Sequence, residues 1–170
     1  MHILWHGAFA TALMVISSGS QLAGMSESAC AVTPSNGHGL VRGPREPPAG
    51  NHGNENGTIA TALRNDGTVT FKPGGSGCVE ADGGLWMKFP WWHKEKRGRL
   101  AIEGRRIDGE APPLRSWIPA SYDSEFQTSA LIFPTAGCWE VTGKVGQERL
   151  TFVVKVVRVA EGPRRCHHAR

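Results

Sequence analysis

From residue 58 onward, hydrophobic and polar positions alternate in short runs, and turn-forming residues interrupt the runs at intervals of about 8 to 12 positions. Successive strand residues point to opposite faces, so these runs predict antiparallel strands with one face buried. The last run is the clearest: in RLTFVVKVVRV, Leu150, Phe152, Val154 and Val156 share one face, opposite Arg149, Thr151, Val153, Lys155 and Val157. In its neighbour CWEVTGKV, Trp139, Val141 and Val145 alternate with Cys138, Glu140, Thr142 and Lys144, and the short Gly146-Gln147-Glu148 connection predicts a hairpin. Earlier candidate strands are Ile59 to Leu63, Thr68 to Phe71 across an Asn65-Asp66-Gly67 turn, Leu85 to Phe89, Leu100 to Arg105, and Ser129 to Phe133. Within the third of these, Leu85, Met87 and Phe89 are expected to face the core and Trp86 and Lys88 to face outward, with Pro90 ending the strand. Six or seven strands in about 100 residues predict an all-β chain, an immunoglobulin-like antiparallel β-sandwich, with a small β-barrel as the alternative.

Composition agrees with this pattern. The 170 residues include 22 Gly, 11 Pro and only four Met, too many turn formers for a helical bundle, while 39% hydrophobic residues suffice for one core. The N-terminal region reads differently. No Lys, Arg, Asp or Glu occurs before residue 25, and Gly7 to Ile16 is a ten-residue, nearly all-apolar run followed by Ser17 to Ser20. A helix of that length spans about 15 Å, half of the roughly 30 Å of membrane hydrocarbon, so residues 1–20 are expected to be a signal peptide rather than an anchor. Leu22-Ala23-Gly24 looks like a lipobox with Met25 in place of the lipidated cysteine. Residues 21–57 are rich in Gly, Pro and Asn and are expected to be a flexible linker, 58–159 the sandwich, and 160–170 a basic disordered tail.

The run FPTAGCWEVTGKVGQERLTFVVKVV, with the upstream block LWMKFPWWHKEKRGRLAIEGRRID, resembles a group of uncharacterised exported bacterial proteins with similar FPWW and GCWEVTG blocks. The resemblance covers Leu85 to Val157. It implies export and an immunoglobulin-like sandwich, with no established activity. In such folds a glycine followed closely by an aromatic often opens the penultimate strand, and Gly137 with Trp139 looks like that arrangement.

Four cysteines, Cys30, Cys78, Cys138 and Cys166, allow three pairings, and their wide spacing excludes a CxxC motif. The expected disulfide is Cys78 with Cys138, since each adjoins a candidate strand, while Cys30 and Cys166 in the flanking segments form a second candidate pair. Period two directs Cys138 away from the core. The histidines show no metal-ligand spacing and no cofactor motif is present, so no metal or cofactor is expected. Gly74-Gly75-Ser76-Gly77-Cys78 falls short of a nucleophile elbow, and no spacing of carboxylates marks a catalytic pair.

The global charge of +4 conceals a concentration. Residues 88–106 carry seven Lys or Arg against two Glu, and Val159 to Arg170 carry a further +2. Trp91, Trp92, His93, Lys94, Lys96 and Arg97 form the candidate ligand-binding stretch: on a loop, the aromatics offer contact area with few rotors to freeze, and the bases steer an acidic ligand. The competing reading buries the tryptophans and leaves the charges on a solvated, salt-bridged hairpin. The sequence therefore suggests an exported, non-catalytic binding module of the periplasm, cell envelope or secreted fraction. Its expected partner is an acidic glycan, an anionic membrane surface or an envelope protein rather than nucleic acid. A hydrolase acting on envelope polymer and a lipoprotein-like structural component are the alternatives.

Overall fold

The computed structural model describes residues 30–36, 53–55, 58–62, 66–94, 98–119, 125–159 and 163–167. The expected signal peptide lies outside the described residues. Ten strands and no helix are found among the described residues: β1 (Gly53–Glu55), β2 (Ile59–Ala62), β3 (Thr68–Phe71), β4 (Cys78–Val79), β5 (Leu85–His93), β6 (Leu100–Arg106), β7 (Arg115–Trp117), β8 (Phe126–Phe133), β9 (Gly137–Val145) and β10 (Glu148–Arg158). They form two sheets. One has the order β1-β2-β5-β8-β7, with β4 also paired to β5; the other has the order β3-β10-β9-β6.

Leaving aside β1, β3 and β4, the strands reproduce the immunoglobulin arrangement, in which A, B, E and D lie in one sheet and C, F and G in the other. Both sheets keep free edges, so the fold is a β-sandwich and not a closed barrel. The inward faces supply one core, built from Ile59, Leu85, Phe89, Trp91, Leu131 and Phe133 of the larger sheet and Phe71, Trp139, Val141, Phe152, Val154 and Val156 of the smaller. Trp139, two residues after Gly137, sits inside this core with its ring edge-on to Phe133 at 5.7 Å. The β9–β10 hairpin closes through a two-residue Gly146-Gln147 turn, where Gly146 adopts φ +60°, a left-handed conformation that glycine tolerates best.

Three expectations are corrected. The run that includes Pro90 does not stop there, because β5 continues to His93. Trp91 pairs with Gln127 on the β8 side, so the Pro90 backbone is directed to the β2 side, where its carbonyl accepts the Thr61 hydroxyl at 2.9 Å. The absent N–H of Pro90 thus falls just past the last β2–β5 pair, Thr61 with Trp91, and breaks no ladder bond. The second concerns β2 and β3, which adjoin across a turn in the sequence but do not pair with each other. β2 pairs with β5, whereas β3 joins the opposite sheet parallel to β10.

The third concerns the cysteines and the segments beyond the strands. Cys78 and Cys138 are not bonded to each other: Cys30 pairs with Cys138 and Cys78 with Cys166. Part of the expected linker is docked, since Thr33 exchanges two hydrogen bonds with Val153 of β10, one through its backbone N–H and one through its hydroxyl. Gly53–Glu55, also within the expected linker, forms β1. Part of the expected tail is docked as well: the Val79 N–H donates to the Arg164 carbonyl and the Cys166 N–H donates to the Val79 carbonyl. Cys138 does face away from the core, as the alternation requires, yet it is buried because the Cys30 segment covers it.

Candidate functional site

The expected ligand-binding stretch is divided by the pleat of β5. Trp91 is fully buried on the inner face, its indole N–H donating to Ser129 Oγ at 3.1 Å and its ring 5.9 Å from Phe152. Gly143 of β9 makes room for it, because a Cβ there would overlap the Trp91 ring. His93 is 2% exposed, and neither ring nitrogen has a hydrogen-bond partner among the described residues. Neither side chain can meet a ligand from solution. Trp92 points to the outer face, half-buried and tilted against Phe126 at 5.3 Å. Lys94 is exposed beyond the strand end, its backbone N–H donating to the Thr58 carbonyl. Lys96 and Arg97 lie outside the described residues. The return of this connection into β6 is fixed from inside: Gln127, fully buried, accepts from the Leu100 N–H and donates to the Gly98 carbonyl.

Two of the bases in the expected basic stretch, Arg105 and Arg106, are held in ion pairs, and a neighbouring lysine pairs with Glu103. Arg105 pairs with Glu140 at 2.9 Å, Arg106 with Asp108 at 2.7 Å, and Lys144 with Glu103 at 2.6 Å. The hydrogen bond from Arg106 holds the Asp108 carboxyl below its usual value of 3.8; partial burial opposes this, and the Cys138 backbone adds to it. That corner requires Gly137 at φ +142°, since a Cβ there would come within 2.5 Å of Arg106 Nε.

A different surface gathers exposed aromatic and cationic groups. On the outer face of the larger sheet, Arg115, Ile132 and Trp86 lie opposite one another across β7, β8 and β5, and Trp117, Ala130 and Lys88 form the next such row. Paired residues share a face, so Trp86 and Trp117 occupy one diagonal of a rectangle and Lys88 and Arg115 the other. Strand spacing and rise make the rectangle about 10 Å by 7 Å. Its floor is Ala130 and Ile132, both buried. Trp117 is 59% exposed, and Lys88 is also exposed.

The frame around Arg115 is specific. Its Nη2 donates to Glu80 Oε2 at 2.9 Å and Asp82 Oδ2 at 2.7 Å, and Gly84 lets the guanidinium approach, since a Cβ there would fall 2.7 Å from Nη2 and 2.8 Å from Ile132. Such a surface can stack planar or ring-shaped groups on indole faces and hydrogen-bond their polar edges. Among the described residues no group of three His, Cys, Asp or Glu side chains converges as a metal site. Compared with known proteins, the chain matches no protein-family model and no curated protein.

Sequence reasoning directed Trp86 and Lys88 outward but passed over Arg115 and Trp117. Arg-Ser-Trp sits in a proline-bounded stretch, between Pro113 and Pro119, and three residues are too few to establish a period.

Proposed function

We propose that this protein is an exported, non-catalytic binding module that holds a glycan of the cell envelope on the outer face of its larger sheet. The observation that carries the reading is the rectangle of Trp86, Lys88, Arg115 and Trp117 over an Ala130 and Ile132 floor. Sugars suit it because their apolar ring faces stack on indoles while their hydroxyls satisfy flanking charged groups. A protein partner suits it less well. The exposed large hydrophobics, Ile107, Trp117 and Val159, are scattered singly among the described residues, whereas a stable protein interface needs roughly 800 Å² per partner around a desolvated aromatic centre. Two disulfides support an oxidising, extracytoplasmic location.

The test is sedimentation of the purified protein with insoluble polysaccharide, comparing wild type with Trp117→Ala. Because Trp117 is exposed, the variant should keep its folding stability within about 0.5 kcal/mol of wild type while binding falls at least about fivefold. Unchanged binding by Trp117→Ala would remove the surface from the mechanism.

A further inference from the structure

Without the C-terminal segment the rectangle carries no net charge. Lys88 and Arg115 are its cations, and Glu80 and Asp82, both bonded to Arg115, offset them. The segment 163–167 changes this. It runs along β4, where Arg165 forms a parallel bridge with Val79, and Cys166 is bonded to Cys78. Cys78 in turn lies opposite Trp86 across β4 and β5. Residue alternation puts Arg164 and Cys166 on the side that Cys78 presents, which is the outer face carrying Trp86. Arg165, bridged to Val79, lies on the opposite side. Arg164 is exposed and has no ion-pair partner among the described residues.

We infer that the Cys78–Cys166 disulfide builds the ligand selectivity of this surface: it fixes Arg164 on the face that carries Trp86, turning a neutral aromatic platform into one that selects a carboxylated glycan. This rests on the glycan-binding reading above and adds to it the charge class of the ligand, one further contact residue and a covalent positioning element. Arg164 supplies the charge complementarity. Cys166 acts only by position. Apart from that bond the segment is held to β4 by two backbone hydrogen bonds to Val79, too few to keep an exposed base in place once the disulfide opens, while the two sheets keep their own ladders and the shared core.

The experiment measures binding of full-length oxidised protein to polygalacturonate and, in parallel, to neutral dextran, at low and high salt. Compared variants are Arg164→Ala, Arg165→Ala, Cys78→Ser/Cys166→Ser and Trp117→Ala, each with its far-ultraviolet spectrum and thermal midpoint. An exposed ion pair contributes up to about fivefold, so Arg164→Ala should bind polygalacturonate about fivefold more weakly, with the salt dependence reduced and the fold intact, whereas Arg165→Ala, on the opposite side of the segment, should bind as wild type does. The double serine variant should show the same loss as Arg164→Ala wherever its spectrum remains native. Adding Arg164→Ala to it should cost little more, because the cation has already left the site. If Arg164→Ala binds polygalacturonate as wild type does while Trp117→Ala weakens binding, the inference is wrong and the glycan reading stands. If Trp117→Ala leaves both probes unaffected, the glycan reading itself fails. Wild type that prefers dextran would overturn the charge selectivity directly.

Discussion

Gly143 and Trp91 set one another's identity. The indole occupies the space that any β-carbon at position 143 would need, so the strand facing the core must be bare there. Gly143→Ala forces the ring or the β9 backbone to shift, and overpacking of this kind costs about 1–3 kcal/mol. Denaturant unfolding should register that loss, and a midpoint equal to wild type would show that the ring is not seated against β9. A second residue-scale effect concerns Asp108. Its folded-state pKa lies below the usual value of 3.8, so its contribution to stability is complete above that value and disappears as the pH falls through the lowered one. Asp108→Asn should therefore flatten the acid limb of the stability profile below about pH 4, and an unaltered limb would contradict the Arg106 contact. At this scale the sequence was legible where alternation was unbroken: Leu85, Phe89, Leu150 and Phe152 are inside as their period requires. It misled at Trp91 and His93. Proline ordinarily ends a strand, and the escape at Pro90 depends on which neighbour its missing N–H would have faced, a tertiary fact.

Among the elements, the β9–β10 hairpin was the most readable because both strands contrast sharply between faces and the turn is local. The relation of β2 to β3 was not readable, since a strand pattern says which face is buried but not which sheet supplies the partner. The disulfides were hidden for a related reason. Both join a segment without strand periodicity, 30–36 or 163–167, to a strand, so neither pairing follows from the strand pattern alone. Cys30–Cys138 closes a loop of 108 residues and holds the N-terminal segment against β10. Replacing both cysteines with serine should lower stability by about 2–5 kcal/mol and open residues 30–36 to limited proteolysis. Resistance to cleavage equal to wild type would mean that the Thr33–Val153 hydrogen bonds alone secure the segment.

For the whole molecule, net charge was a poor guide to surface function. Some of the chain's cations are neutralised in ion pairs on the smaller sheet, such as Arg105 with Glu140 and Lys144 with Glu103, while others, such as Lys88, stand exposed on the larger one. The immunoglobulin arrangement explains how a short proline-bounded strand such as β7 becomes part of a site: pairing to β8 brings Trp117 into line with Lys88, which lies far from it in sequence. The proposed ligand surface is the outer face of the larger sheet. Backbone amide chemical-shift mapping during titration with oligogalacturonate tests it most directly. Shifts should cluster at Trp86, Lys88, Trp117, Ala130 and Ile132, leaving Glu103, Glu140 and Lys144 unmoved. Shifts confined to the smaller sheet, or none at saturating oligosaccharide, would show that the outer face of the larger sheet does not bind the ligand.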